Sequence, residues 1–440
     1  MARDLDSSAV QEADIVDLAH DGRGVARVGG KAVFIEGALP GERARFRVIK
    51  RRRQMDEAGL VDVLIASPDR VVPRCAHFGV CGGCTLQHLS AAAQLAAKEH
   101  QLLENLQRIG NVQPARVLPP LQGPNWAYRR RARLGIKYVH KKGRVLAGFR
   151  EREKPYIADI KRCEVLLAPL ATLPAELAAL AETLDIREKI PQVEVAAGDH
   201  ATALVFRVLQ APGAADLEKI SAFGSAHGLQ IFLQVGGLET VRPVSADYAP
   251  LNYAVDGGSV VIEFGPVDFI QVNRDINASM VDAAIALLRP EAGDAVLDLF
   301  CGLGNFTLPL ARRARQVMGV EGDALLVSKA LANAARNGIG NARFAVQNLF
   351  EPKSFEAWAD ERYDLVLLDP PRAGAAELLT RMGHWRPRRV VYISCHPGSL
   401  ARDAGILVAE HGFTLSAAGV MDMFPHTTHV ESIAVFERPP

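Results

Sequence analysis

Ala295-Val296-Leu297-Asp298-Leu299-Phe300-Cys301-Gly302-Leu303-Gly304-Asn305 is the stretch whose reading decides the fold of the C-terminal part of the chain. Residues 295–300 form a short, almost wholly apolar run, the pattern of a buried strand in a parallel sheet. Gly302 and Gly304 let the backbone turn tightly beside a ligand, and a helical pattern follows over 306–314. Glu321 closes the next strand-like run, about 20 residues on, where an acidic side chain can accept both hydroxyls of a ribose. The third glycine of the dinucleotide-binding pattern is missing, since Thr307 stands there, and Asp298 is acidic inside the strand. That combination favours S-adenosylmethionine over NAD.

Working outward, helical patterns over 275–289, 324–337 and 398–410 alternate with apolar runs at 316–321, 342–347, 363–369 and 389–394. Such alternation predicts a doubly wound, Rossmann-like α/β domain over residues 266–440, with ligands at the carboxyl ends of its strands. Asn348 and Asp369 end two later strands and so line the same crevice; for Asn348 a turn-forming role stands beside adenine contact. Asp369-Pro370-Pro371-Arg372 ends one strand and Ile393-Ser394-Cys395-His396-Pro397 the next. The paired prolines stiffen the first loop and leave it few N–H groups. The Asp369 carboxylate and the Cys395 thiol are expected on adjacent strand tips, where a polar site can make Cys395 substantially thiolate at the moment of attack. Cys301 lies in the cofactor loop without a chemical task and is read as packing.

Toward the N-terminus, residues 1–68 read as a small OB-like β-barrel. Val25–Val28 and Ala32–Ile35 form a hairpin about Gly29-Gly30, followed by paired strands Glu42–Lys50 and Gly59–Ile65. Period-two alternation puts Arg43, Arg45 and Arg47 on one face and Ala44, Phe46 and Val48 on the other. That basic face is either a solvated edge or a phosphate-binding surface. Residues 69–265 read as a central mixed α/β domain. It opens with a helix over about 90–110, expected to lie against the catalytic domain. It contains Tyr128-Arg129-Arg130-Arg131-Ala132-Arg133, in which Arg129, Arg131 and Arg133 would share a strand face suited to phosphate contact.

The net charge of the 440 residues is +1, which argues against a general polyanion binder and leaves local basic patches open. The N-terminus has no apolar leader pattern. The longest apolar stretch, Val165–Leu184, is broken by Pro169, Pro174 and Glu176, so a cytoplasmic location away from membranes is expected. Of six cysteines, Cys75, Cys81 and Cys84 fall within ten residues and Cys163 lies far downstream. In a reducing compartment this reads as a metal site; the spacing alone leaves zinc and an iron–sulfur cluster open.

The Asp298–Asn305, Asp369–Arg372, Ser394–Pro397 and His426–Glu431 segments, preceded by Phe264-Gly265-Pro266-Val267-Asp268-Phe269-Ile270-Gln271-Val272-Asn273, resemble in order the motifs of the RNA uracil-C5 methyltransferase family. The resemblance covers nearly the whole chain. It implies that Gln271, Phe300, Asn305, Glu321, Asn348 and Asp369 contact S-adenosylmethionine or line its pocket. It also implies that Cys395 is the nucleophile and Glu431 the base that removes the C5 proton. One departure is His396, where the family commonly has Asn. The segment Asp21–Ala26 with Pro40-Gly41-Glu42 resembles a TRAM domain, a small RNA-binding barrel. Barrel and cysteines together resemble the branch acting on 23S rRNA, and imply a [4Fe–4S] cluster on Cys75, Cys81, Cys84 and Cys163. The partner expected on this basis is 23S rRNA, with no DNA and a monomeric protein. The same chemistry on another RNA, whether a different 23S rRNA site or tRNA, is the alternative. A radical enzyme is disfavoured by the C-x5-C-x2-C spacing, and an NAD-dependent oxidoreductase by Thr307 and the Asp369–Arg372 motif.

Overall fold

The computed structural model describes residues 9–351 and 357–438. The chain divides into two compact units: Met1–Gln101 with Pro425–Thr428, and Leu102–Phe424 with His429–Pro440.

In the first unit, β1 (Val10–Leu18), β2 (Gly24–Val28), β3 (Lys31–Glu36), β4 (Arg43–Arg51) and β5 (Met55–Ile65) close a barrel in the order β1-β2-β3-β5-β4. Alternation explains its packing: Ala44, Phe46 and Val48 point into a core with Ile15, Ala26, Val33, Ile35, Ala38 and Ala58. The outward positions of β4 carry Arg43, Arg45 and Arg47. Gly29 and Gly30, with φ of 56° and 82°, form the two-residue hairpin turn that requires left-handed backbone. The expected strands are present. β1 is additional. It is mostly exposed, it carries Glu12, Asp14 and Asp17, and Ile15 is its one buried residue, so its apolar pattern is weak.

The helix α1 (Ala91–Arg108) leads into the second unit. There β6 (Arg131–Val139), β7 (Arg144–Gly148), α2 (Leu173–Glu182), β8 (Gln192–Ala197), β9 (Thr202–Arg207), α3 (Ala214–His227), β10 (Gln230–Gln234) and β11 (Arg242–Pro243) build a six-stranded sheet of order β11-β10-β9-β8-β6-β7. A hairpin of β12 (Leu251–Val255) and β13 (Val260–Phe264) follows.

The remaining elements are α4 (Arg274–Leu288), β14 (Ala295–Leu299), α5 (Thr307–Ala311), β15 (Gln316–Glu321), α6 (Ala324–Arg336), β16 (Ala342–Val346), β17 (Leu365–Leu368), α7 (Ala376–Leu379), α8 (Met382–Trp385), β18 (Arg389–Ser394), α9 (Pro397–His411), β19 (Thr414–Met421) and β20 (Glu431–Glu437). The sheet runs β16-β15-β14-β17-β18-β20-β19. Its first five strands are parallel, and β20 joins β18 and β19 antiparallel. The strand order reverses beside β14, so the crevice at the carboxyl ends of β14 and β17 is the ligand position of a doubly wound sheet. A continuous apolar core joins this sheet to α4, the β12–β13 hairpin and part of the six-stranded sheet.

Two expectations shift. The helix expected over 306–314 contracts to Thr307–Ala311. The strand holding the arginines begins only at Arg131; Arg129 makes isolated bridges to Asn273 and Leu166 instead, so Arg129 is not in register with Arg131 and Arg133 on one strand.

Candidate active site

The loop after β14 is shaped by backbone that only special residues accept. Phe300 has φ of 65°, Gly302 54° and Gly304 92°. A non-glycine residue in the left-handed region is uncommon and clusters at functional sites; Phe300 is held there by its N–H donating to Val320 O at 2.9 Å. A side chain at Gly304 would meet Leu308 at 3.0 Å in addition to the backbone strain. Below the loop, Asp298 is fully buried and accepts from the Thr307 hydroxyl at 2.5 Å. Its Oδ1 has no hydrogen-bond partner among the described residues. Burial, opposed by the Thr307 bond and reinforced by the Asp369 charge, leaves Asp298 pushed up to about 7. Thr307, noticed in the sequence only as a missing glycine, is thus the residue that serves this carboxyl.

Glu321 ends β15 and accepts the Gly302 N–H at 3.1 Å and the Gly322 N–H at 2.7 Å, so its carboxylate fastens the glycine loop to the next strand tip. Asn305 accepts from Tyr253 Oη at 3.1 Å and exchanges amide hydrogen bonds with Asn277 of α4. Asn348 accepts the Phe350 N–H at 3.1 Å, a turn-forming bond, and the Phe350 ring lies 5.7 Å from that of Phe300. Carboxylates, amides and two rings around a glycine loop suit a cationic nucleoside ligand.

Asp369 follows β17, its N–H donating to Leu299 O at 3.3 Å, which places it against the end of β14. On the neighbouring side Ser394 pairs with Ser432 in antiparallel register, so the next residues along β18 and β20 are Cys395 and Glu431. Ser432 Oγ donates to Ser394 O at 3.1 Å and locks that register. Cys395 is partly exposed while Glu431 is buried. Burial, followed by the charge of Asp369, pushes Glu431 up to about 8; burial pushes Asp369 up to about 7. The Cys395 thiol goes up to about 11, through burial first and then the charges of Glu431 and Asp369, with Arg372 pulling the other way. The strand tip is thus less polar around the sulfur than the sequence suggests, and ionisation of Cys395 is left to the moment of attack. Desolvation of the sulfur is the main cause and outweighs the single cation; the two acidic neighbours add to it only as they ionise. Cys301 is buried and driven well above its ordinary value by burial, as suits a packed side chain.

His396 caps α9: its Nδ1 accepts the Ser399 N–H at 3.1 Å. An asparagine oxygen could do the same at an N-cap, so the departure from Asn preserves a bond rather than losing one. Ser399 Oγ in turn donates to Arg372 O at 2.5 Å, tying the first turn of α9 to the Asp369–Arg372 loop.

The basic residues are placed unevenly. Arg43 and Arg45 are half exposed and face Glu12 on β1, with Arg45 Nε 2.9 Å from its carboxylate. Arg47 is exposed. Arg133 stays largely exposed, whereas Arg131 is turned inward to Pro266 O and Glu194. Arg129 lies over the Phe149 ring at 5.7 Å. Of the cysteine set, Cys75 Sγ accepts the His77 N–H and Cys81 Sγ the Gly83 N–H, each at 3.4 Å. All six cysteines are outside disulfides. N–H donation to sulfur suits thiolate ligands, and four thiols suit an iron–sulfur cluster or zinc in donor chemistry. Among the described residues, no group of three or more His, Cys, Asp or Glu is arranged to hold a metal ion. No helix among them is long and apolar enough to cross a membrane.

Residues 90–439 match the tRNA (uracil-5-)-methyltransferase family, and residues 8–61 match the TRAM domain. A 23S rRNA (uracil(1939)-C(5))-methyltransferase RlmD of Methylococcus capsulatus is 52% identical over 427 residues, covering 97% of this chain and 96% of that protein. The protein of that name from Stenotrophomonas maltophilia is 50% identical over 430 residues, covering 97% of each chain. The crystal structure of Pyrococcus abyssi tRNA (uracil-54, C5)-methyltransferase in complex with S-adenosyl-L-homocysteine shares the fold. Its TM-score is 0.73 at 22% identity, covering 97% of this chain and 100% of that one. With its motifs in order along a doubly wound sheet and its match running from residue 90 to 439, the chain belongs to the S-adenosylmethionine-dependent RNA (uracil-C5)-methyltransferase family.

Proposed function

We propose that this enzyme methylates C5 of a specific uridine in 23S rRNA. The observation that carries the reading is the register of β18 on β20, which brings Cys395 and Glu431 to neighbouring strand ends beside Asp369. The relatives named for 23S rRNA, similar over nearly the full length, supply the substrate class. S-adenosylmethionine supplies the electrophilic methyl group, with Gln271, Phe300, Asn305, Glu321, Asn348 and Asp369 as its contacts.

C5 of uracil is a weak nucleophile. Addition of Cys395 Sγ to C6 makes the ring an enolate, whose C5 then takes the methyl group in line. Glu431 removes the C5 proton, and the C6–S bond breaks to return Cys395. Because both side chains are protonated at rest, each must lose its proton before its step. The target base has to leave its stack, or be presented unstacked, to reach the strand tips.

The division of labour we propose follows residues 1–68 as an RNA-binding TRAM barrel, 69–265 as a central domain and 266–440 as the catalytic domain. Arg43, Arg45, Arg47, Arg129, Arg131 and Arg133 are the RNA contacts of this reading; the exposure of Arg47 and Arg133 favours those two. Cys75, Cys81, Cys84 and Cys163 would hold a [4Fe–4S] cluster. The N–H···S bonds at Cys75 and Cys81 support thiolate ligands there. Methyl transfer consumes no electron, so the cluster is given a structural task. The protein is taken as a cytoplasmic monomer. The test is mapping of 5-methyluridine in 23S rRNA and tRNA from cells lacking the protein. Loss of one 23S rRNA site is expected; an intact rRNA with a lost tRNA site would move the substrate to tRNA.

A further inference from the structure

Arg130 is among the largest fully buried side chains of the protein, at 2% exposure. It lies just before β6, in the arginine run that the sequence offers as an RNA surface, yet its burial closes that role to it. Its Nε donates to Gln271 O at 3.0 Å, and its own N–H to Val272 O at 2.9 Å. Its guanidinium lies over the Tyr253 ring, 4.6 Å from the centroid. Tyr253, itself buried, donates its hydroxyl to Asn305 Oδ1, and Asn305 also exchanges amide hydrogen bonds with Asn277. The ion-pair neighbour of the guanidinium is Asp199, with 3.9 Å between Nη1 and Oδ1. Nη1 and Nη2 have no hydrogen-bond partner among the described residues.

A buried cation with so little compensation is costly, and apolar residues of similar volume often serve stability as well or better. What the guanidinium does achieve is geometric. One planar group fixes the backbone at Gln271 and, through an aromatic ring, the amide of Asn305. We propose that Arg130 is a positioning residue for the cofactor pocket, setting the span between Gln271 and Asn305. The proposal rests on the reading that these two residues contact S-adenosylmethionine.

The test compares full-length Arg130→Met, Arg130→Lys and Tyr253→Phe with the native enzyme. Steady-state kinetics on an RNA substrate are run with each substrate varied in turn, together with thermal unfolding. Arg130→Met is expected to raise KM for S-adenosylmethionine about tenfold while KM for RNA stays within about twofold. Arg130→Lys, which keeps the charge and one donor, recovers part of that loss. Tyr253→Phe, which removes only the hydroxyl, raises the same KM by about threefold with Tm unchanged. A merely structural role would lower Tm without separating the two KM values, and that result overturns the proposal. If Arg130→Met does not fold, Tyr253→Phe decides alone: an unchanged cofactor KM overturns it. Gln271→Ala and Asn305→Ala run beside these. If both leave cofactor affinity intact, the contact reading has failed and the proposal with it. If they weaken it and the Arg130 and Tyr253 variants do not, only the positioning role is lost.

Discussion

In the proposed mechanism Cys395 and Glu431 start from the wrong protonation state for their tasks. The sulfur is pushed up to about 11 and the carboxyl to about 8, so both carry protons at neutral pH. If they act as proposed, both lose them for turnover, and kcat/KM should rise with pH through the neighbourhood of 8, where Glu431 ionises in the free enzyme. A profile flat from about pH 6 to about pH 9 would contradict this. Cys395→Ala is expected to abolish methyl transfer while cofactor binding persists; turnover of uridine-containing RNA by that variant would sink the covalent mechanism. Glu431→Gln should trap a denaturant-resistant RNA–protein adduct, because the C5 proton then has no acceptor. The same substitution should affect stability with a definite sign. The folded Glu431 value lies above the unfolded one, so its ionisation disfavours the folded state progressively from about pH 4.5 to above 8. Glu431→Gln should therefore raise Tm by about 2–4 °C at about pH 9, with little change at about pH 5. Scanning calorimetry at the two pH values decides it.

At the scale of elements, strand tips and helix starts fix the chemistry. β18 ends at Ser394, Cys395 follows, and α9 begins at Pro397, so two residues make the whole turn. His396 holds that turn by accepting from Ser399, and Ser399 reaches back to Arg372. His396→Ala should cost about 1 kcal/mol of stability through the lost cap and lower kcat, whereas His396→Asn should match the native enzyme in both; a native-like alanine variant would show the cap to be dispensable. Strand assignments from sequence succeeded in the parallel half of the sheet, where both faces are buried and apolar runs are unbroken, as in Leu365–Leu368. They missed Thr414–Met421, whose small residues Ser416, Ala417, Ala418 and Gly419 lack a strand signature. The arginine run misled for a related reason. Period-two reasoning assumes one strand, but Arg129 pairs with loop segments and Arg131 turns inward to Glu194.

For the whole molecule, the barrel and the cysteines bear on which RNA is bound and how the fold is held. Charge reversal of Arg43, Arg45 and Arg47 together should weaken RNA binding and flatten its salt dependence. The log–log slope should fall by about 0.7–0.9 for each phosphate that is no longer neutralised. Unchanged binding would make that face a solvated edge. Anaerobically purified protein should be brown, with absorbance near roughly 400 nm, and Cys81→Ser should bleach it. Colourless protein carrying zinc would replace the iron–sulfur assignment.

By itself the sequence determined the fold class, the cofactor loop, the candidate nucleophile and the order of the motifs. These depend on local signals: apolar runs, glycines at a tight turn, and a cysteine set between strand and helix. Only the tertiary structure decided three further matters. The Cys395 thiol is pushed up, because burial outweighs one arginine. His396, standing where the family commonly has Asn, caps the helix that follows. Arg130, one of several arginines in a row, lies buried against Tyr253 and Gln271. Each of these follows from desolvation and from neighbours distant in sequence, which residue spacing along the chain does not encode.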